Sequence, residues 1–236
     1  MQPSALASTP LPLDAVILDL DGTMVDTLGD FAQALNRMLA DLTLAPVAPE
    51  LIVNMVGKGS EHLLRSVLGQ VLSSTQGLQG DALTERVSAL FPAAWDRYQA
   101  HYLDINGQFA QVYPGVVAGL EALRQRGLAL ACLTNKPLAF ARPLLEAKGL
   151  SGYFSHVFGG DSFERKKPDP QPLLGACAAL GTAPARTVMV GDSSNDAQAA
   201  RAAGCPVWLV TYGYNHGQPI RAVAADAFLD SLAELA

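Results

Sequence analysis

The chain has 236 residues, half of them hydrophobic, enough for one large α/β domain or for a core with a smaller appended domain. Its formal charge of −6 argues against a nucleic-acid-binding surface, and no apolar run is long enough to span a bilayer. The three cysteines, Cys132, Cys177 and Cys205, are odd in number and set among apolar neighbours, which points to buried free thiols in a cytoplasmic protein rather than to a disulfide framework or a zinc site.

The first twelve residues carry no basic stretch and are broken by Pro3, Pro10 and Pro12, so they do not read as a signal peptide. Ala15-Val16-Ile17-Leu18 is a short apolar run of the kind that forms a buried parallel strand. It runs directly into Asp19-Leu20-Asp21-Gly22-Thr23. Carboxylates rarely go inside without a partner, and the carboxyl ends of strands are where open α/β sheets place their sites. Aspartates at i and i+2 project to the same side, which suits a shared metal or one nucleophile beside one proton donor. An Asp-Gly turn with two solvated acids is the plain alternative.

Residues 27–108 have a different texture. Phe31, Leu35, Met38, Leu39 and Leu42 follow helical spacing, as do Leu63, Leu64, Val67, Leu68 and Val71, and then Leu83, Val87, Leu90 and Phe91. Ser73 to Gly77 reads as a flexible connection between two of these helices, and Asp104 and Asn106 before Gly107 read as turn residues. Val56-Gly57-Lys58-Gly59-Ser60 places a lysine between glycines, where a backbone can approach a ligand closely. Lys58 could neutralise a substrate carboxylate there, or stand in solvent with Ser60 as a helix cap.

From about residue 113 strand and helix patterns alternate. Strands are expected at 129–133, 187–190 and 207–210, and helices from Val116 to Arg126, Phe140 to Lys148, Pro172 to Leu180 and Asn195 to Ala203. Such alternation means βαβ units and a parallel sheet. Three polar groups punctuate it. Thr134-Asn135 ends one strand and can offer a hydroxyl and backbone amides to an anion. In Lys166-Lys167-Pro168-Asp169-Pro170 the proline fixes the backbone after Lys167, and Asp169 reads as a cap for the next helix. Gly191-Asp192-Ser193-Ser194-Asn195-Asp196 again sets acids at a strand end, where Asp192 could reach a metal or cap the helix.

Taken together, in this order, the four groups resemble the phosphatases of the haloacid dehalogenase superfamily. The resemblance covers the whole α/β part and implies a doubly wound, Rossmann-like parallel sheet, residues 1–26 and 109–236, with an inserted all-helical C1-type cap, residues 27–108. It implies Asp19 as a nucleophile that forms an aspartyl-phosphate, and Asp21 as the acid that protonates the leaving group and then activates water. Mg²⁺ would be held by Asp19, the backbone carbonyl of Asp21 and Asp192. Lys167, Thr134 and backbone amides near Gly22 and Asn135 would bind the phosphoryl group, with Asp196 orienting Lys167 or a metal-bound water. Thr23 and Asp26 would shape the turn and the hinge into the cap.

The resemblance is closest to bacterial phosphoglycolate phosphatases. It rests on Val56-Gly57-Lys58-Gly59, on the stretch from Thr211 to Gly217 with Pro219-Ile220, and on Asp226 with Asp230-Ser231-Leu232. Lys58 is a departure, since a polar residue without charge is common there. The implied substrate is 2-phosphoglycolate, a small phosphorylated organic acid, taken by a cytoplasmic monomer or homodimer. Other small phosphate esters (a sugar phosphate, a nucleotide, pyrophosphate) and a hexose-phosphate mutase are the nearest alternatives. A phosphonate hydrolase and a dehalogenase fit poorly, the first because Asp21 is present and the second because the metal-site acids are. The histidines at 62, 101, 156 and 216 share no metal-ligand spacing and read as surface or cap positions. Trp95, Tyr98 and Tyr102 read as cap packing, and Cys132 as core.

Overall fold

The structure, a computed structural model, describes residues 12–236, so Pro3 and Pro10 lie outside the described residues. Strand β1 (Ala15–Leu18) is buried along its whole length. Its side chains alternate between two apolar clusters, Val16 and Leu18 on one face of the sheet and Ile17 on the other. A strand covered on both faces has no room for polar residues, which is why its sequence is a plain apolar run.

After β1 the chain forms a short strand β2 (Val25–Asp26) and then four helices: α1 (Leu28–Asp41), α2 (Pro49–Ile52), α3 (Ser60–Gln76) and α4 (Gly80–Ile105). It returns through β3 (Gln111–Val112), which pairs antiparallel with β2, Val25 opposite Val112 and Asp26 opposite Gln111. The exit and return of the helical segment therefore lie side by side. Asp30, fully buried in the first turn of α1, accepts the N–H groups of Gly107 (2.7 Å) and Phe109 (2.8 Å) and fastens the two ends together. Leu35, Met38, Leu64, Leu68 and Tyr98 from α1, α3 and α4 form a core of their own, joined by Phe140 and Tyr214 from outside the segment.

The remainder is α5 (Val116–Gln125), β4 (Ala129–Leu133), α6 (Leu138–Ala147), β5 (His156–Phe158), α7 (Gln171–Leu180), β6 (Thr187–Gly191), α8 (Ser194–Ala203), β7 (Val207–Val210) and β8 (Ala227–Leu229). The sheet order is β5-β4-β1-β6-β7-β8, every pairing parallel. Helices α5 and α6 supply Leu120, Leu123, Leu144 and Leu145 to one face, while α7 and α8 supply Leu173, Ala176, Ala199 and Ala200 to the other. This is a doubly wound, Rossmann-like α/β fold. With β4 and β6 flanking β1 and the chain winding away in both directions, the crevice at the carboxyl end of β1 is the topological switch point.

Three expectations change. Ser73 to Gln76 is the last turn of α3, with the Ser74 and Thr75 hydroxyls donating back to the Val71 carbonyl (3.1 and 2.7 Å), and the αL residue Gly77 ends it. Asp104 is helical and pairs with Arg37, whereas Asn106 does stand in the turn after α4, which Gln108 N–H closes on the Ile105 carbonyl at 2.7 Å. Strands β2, β3, β5 and β8 were not visible as patterns. They have two or three residues each, too few to show a period. Among the described residues no helix is long and apolar enough to cross a membrane.

Candidate active site

Asp19 leaves the end of β1, Thr134 the end of β4 and Asp192 the end of β6, and Lys167 arrives from the loop ahead of α7. All four are buried. Lys167 Nζ lies 3.0 Å from Asp19 Oδ1 and 2.8 Å from Asp196 Oδ1, and it donates to the Leu133 carbonyl at 2.8 Å. Burial alone would lower its pKa, but the Asp19 and Asp196 carboxylates outweigh that and raise it, so the ammonium stays charged.

Asp196 is committed to this arrangement. Its Oδ2 accepts from Asp192 N–H (3.2 Å), Ser193 N–H (3.1 Å) and Ser193 Oγ (2.8 Å), closing a capping box at the start of α8. The helix cap is thus Ser193, and Asp192 is free of that duty. The Asp192 carboxylate accepts from Tyr214 N–H at 2.6 Å and Thr23 Oγ1 at 3.3 Å. Two glycines make room for it: a Cβ on Gly22 would lie 2.2 Å from Asp192 Oδ2, and one on Gly213 2.3 Å from Asp192 Cβ.

Asp19, Asp192 and Asp196 each bring an oxygen within 4.8 Å of one another. With one ammonium among three acids, burial drives the Asp19 carboxyl up to about 7, Lys167 opposing and Asp196 and Asp21 adding to the rise. Burial, with Asp196 and Asp19, likewise raises Asp192 well above the usual carboxylate range. A divalent cation would supply the missing charge, and an all-oxygen donor set suits a hard ion. Asp196 is the most heavily engaged of the three, its Oδ1 taken by Lys167 and its Oδ2 by three donors, whereas each oxygen of Asp192 takes one, so Asp19 and Asp192 would be the carboxylates better placed to ligate it.

Above these groups sits a cavity of about 400 Å³, with the open solvent at its mouth included. Asp19, Asp21, Thr134, Asn135 and Lys136 line it from the sheet, and Phe31, Val56, Gly57, Gly59, Ser60 and Leu63 from the helical segment. Asn135 Nδ2 bridges the two sides, donating to the Gly57 carbonyl (3.1 Å) and the Lys167 carbonyl (2.8 Å), and Asn195 Nδ2 reaches the Gly57 carbonyl as well. Lys136 Nζ holds Asp21 Oδ1 at 2.9 Å and Tyr102 Oη at 2.6 Å, 4.6 Å from the ring centres of both Phe31 and Tyr102.

A profile of the haloacid dehalogenase-like hydrolases matches residues 13–204, most of the chain. The chain belongs to this family. Among its relatives, a phosphoglycolate phosphatase of Thiobacillus denitrificans is 43% identical over 98% of this chain and 97% of its own length. A plasmid-borne phosphoglycolate phosphatase of Cupriavidus necator is 46% identical over 98% of this chain and 94% of its own. Among solved structures, one described as a predicted phosphoglycolate phosphatase from Haemophilus somnus 129pt superposes with a TM-score of 0.87 at 31% identity, covering 96% of this chain and 97% of that one.

In this haloacid dehalogenase-like hydrolase the sheet brings Asp19, Asp21, Thr134, Lys167, Asp192 and Asp196 into one crevice, but two expected contacts fall elsewhere. Gly22 N–H is spent on the Val25 carbonyl at 2.9 Å inside its own turn, so it is not a donor for a phosphoryl oxygen; its function is to leave space for Asp192. Lys58 is exposed and does not line the cavity, although Val56, Gly57, Gly59 and Ser60 around it do. His216 is no surface or cap residue: it is half-buried after β7, its ring against Gly57. Sequence reasoning missed Lys136 and the polar reach of Tyr102. The signal was present in Asn135-Lys136-Pro137, a Lys-Pro pair like Lys167-Pro168 but placed shortly after a strand.

Proposed function

We propose that this hydrolase is an Mg²⁺-dependent phosphomonoesterase that converts 2-phosphoglycolate to glycolate and phosphate. The reaction class rests above all on the pairing of Asp19 with Lys167 beside Asp192 at one strand-end crevice. The substrate rests on the two relatives above, named phosphoglycolate phosphatases and similar along almost their whole length. We divide the chain into a catalytic core, 1–26 and 109–236, and a cap, 27–108, that closes over the substrate.

Asp19 attacks phosphorus in line, forming an aspartyl-phosphate as the ester P–O bond breaks. Asp21 gives its proton to the departing glycolate oxygen and then takes one from the water that attacks the aspartyl-phosphate. Lys167, fixed by Asp196 and the Leu133 carbonyl, sets a positive charge against Asp19 and the phosphoryl oxygens. The Thr134 hydroxyl accepts from Lys136 N–H at 3.2 Å, which leaves its own proton for a phosphoryl oxygen. Asp19, Asp192 and the Asp21 carbonyl would hold Mg²⁺, whose charge would offset the repulsion between the nucleophile and the phosphate. The three free buried cysteines are in keeping with a cytoplasmic enzyme, acting as a monomer or homodimer.

The test is phosphate release with and without Mg²⁺ from 2-phosphoglycolate, a hexose 6-phosphate, a nucleoside monophosphate, pyrophosphate and phosphonoacetaldehyde. Metal-dependent turnover with the highest kcat/KM on 2-phosphoglycolate is expected. Equal, weak activity on every ester would remove the substrate assignment and leave the reaction class.

A further inference from the structure

We infer that Lys136 selects the substrate, by pairing with a carboxylate carried close to the ester oxygen; this rests on the reading of the site as a phosphomonoesterase acting on phosphoglycolate. The exposed Lys58 is not among the residues that line the cavity. Lys167 is engaged by Asp19, Asp196 and the Leu133 carbonyl on the nucleophile's side. Among the described residues that line the cavity Lys136 is the cation, its side chain 2% exposed, and it stands on the side of Asp21.

An ammonium has three N–H donors. Two of those of Lys136 are accounted for by Asp21 Oδ1 and Tyr102 Oη, so one remains for a ligand. Asp21 is the group that would protonate the leaving oxygen, so the partner of its carboxylate is a neighbour of that oxygen. In 2-phosphoglycolate only a methylene and a carboxyl carbon separate the ester oxygen from the carboxylate oxygens. A substrate bound in line with Asp19 therefore brings its carboxylate to Lys136. Without that ammonium the same carboxylate would meet Asp19 and Asp21 in a confined site and be repelled.

The surroundings of Lys136 fit this use. Phe31 and Tyr102 belong to the helical segment; the ammonium lies 4.6 Å from both ring centres and donates to the Tyr102 hydroxyl, contacts that hold it without neutralising it. The contact is made only when core and helical segment are together, so the carboxylate would be read in the closed form. Neutral esters of the same length could enter but would gain nothing from the cation.

The experiment compares kcat/KM for 2-phosphoglycolate with that for 2-hydroxyethyl phosphate, which replaces the carboxylate by a neutral alcohol. The readout is the ratio of the two in wild type, Lys136→Met and Lys58→Ala. Wild type is expected to favour the carboxylate, and Lys136→Met to lower the ratio roughly 100-fold, as the loss of a buried charged partner does. Lys136→Gln, which keeps a donor toward Tyr102, gives the same reading should the methionine variant not fold. A preference that survives in the Lys136 variants, or that vanishes in Lys58→Ala instead, overturns this inference alone. A wild type with no carboxylate preference overturns both it and the phosphoglycolate assignment.

Discussion

Replacing Gly22 by alanine tests how the metal-facing carboxylate is seated. Gly22 has a φ of +82°, and an added Cβ would lie 2.2 Å from Asp192 Oδ2 and 2.8 Å from Tyr214 Cδ2. The left-handed backbone costs an L-residue about 1–2 kcal/mol. Relief of the collision requires Asp192 to turn away from Tyr214 N–H, now at 2.6 Å. Losing such a charged, buried hydrogen bond costs about 1.5–3 kcal/mol. The sum is roughly 2.5–5 kcal/mol, which for a chain of this length lowers Tm by about 5–20 °C. Gly204→Ala is the control: its φ is +79° and nothing lies within 4 Å of an added Cβ, so only the backbone cost of about 1–2 kcal/mol applies. Thermal melts of the three proteins, with and without Mg²⁺, and an Mg²⁺ titration of phosphate release make the comparison. Gly22→Ala should melt well below Gly204→Ala, gain less from the metal and need more of it. Should Gly22→Ala melt no lower than the control and keep the wild-type metal requirement, Asp192 does not sit where the reasoning puts it.

Asp19→Asn should lower phosphate release by at least about 10³-fold while leaving the far-UV spectrum and the melt cooperative; near-normal turnover would remove Asp19 as nucleophile. In the metal-free protein the Asp19 carboxyl is raised from 3.8 to about 7, so its contribution to stability is complete below about pH 4 and lost as pH rises toward 7. The Tm of the metal-free wild type, measured against metal-free Asp19→Asn, should therefore fall across that window, and a difference that grows in favour of the wild type contradicts it. Asp30→Ala strips acceptors from two backbone N–H groups at the return from the helical segment, and urea unfolding should show a loss of about 2–5 kcal/mol. A loss under about 1 kcal/mol would mean that Asp30 does not fasten those ends.

Much of the fold can be read from the chain because its cause is local. A strand covered on both faces must be apolar throughout, so β1, β4, β6 and β7 declare themselves, and α1 and α3 do so through one apolar stripe. The carboxylates at the ends of β1 and β6 are legible for the complementary reason: acids directly after such runs have no packing explanation. Short pieces are silent. β2 and β3 exist only because each pairs with the other, and Ser74 and Thr75, turn formers by type, carry α3 on to Gly77 with their hydroxyls returned to the Val71 carbonyl.

Read alone, the chain already shows an α/β protein with acids and a threonine at strand ends, a lysine fixed by a proline in a loop, and a helical stretch between the first strand and the rest. The partners of these groups come from the packing of separate elements. Lys167 is committed to Asp19 and Asp196, residues far from it in the chain, and Gly22 serves Asp192 rather than a ligand. Lys58, beside the crevice in sequence, does not line it, while Lys136 is held there by Asp21, Phe31 and Tyr102. A side chain's neighbours on its own strand or helix follow from the period of the backbone, but its neighbours across a crevice depend on how separate elements pack.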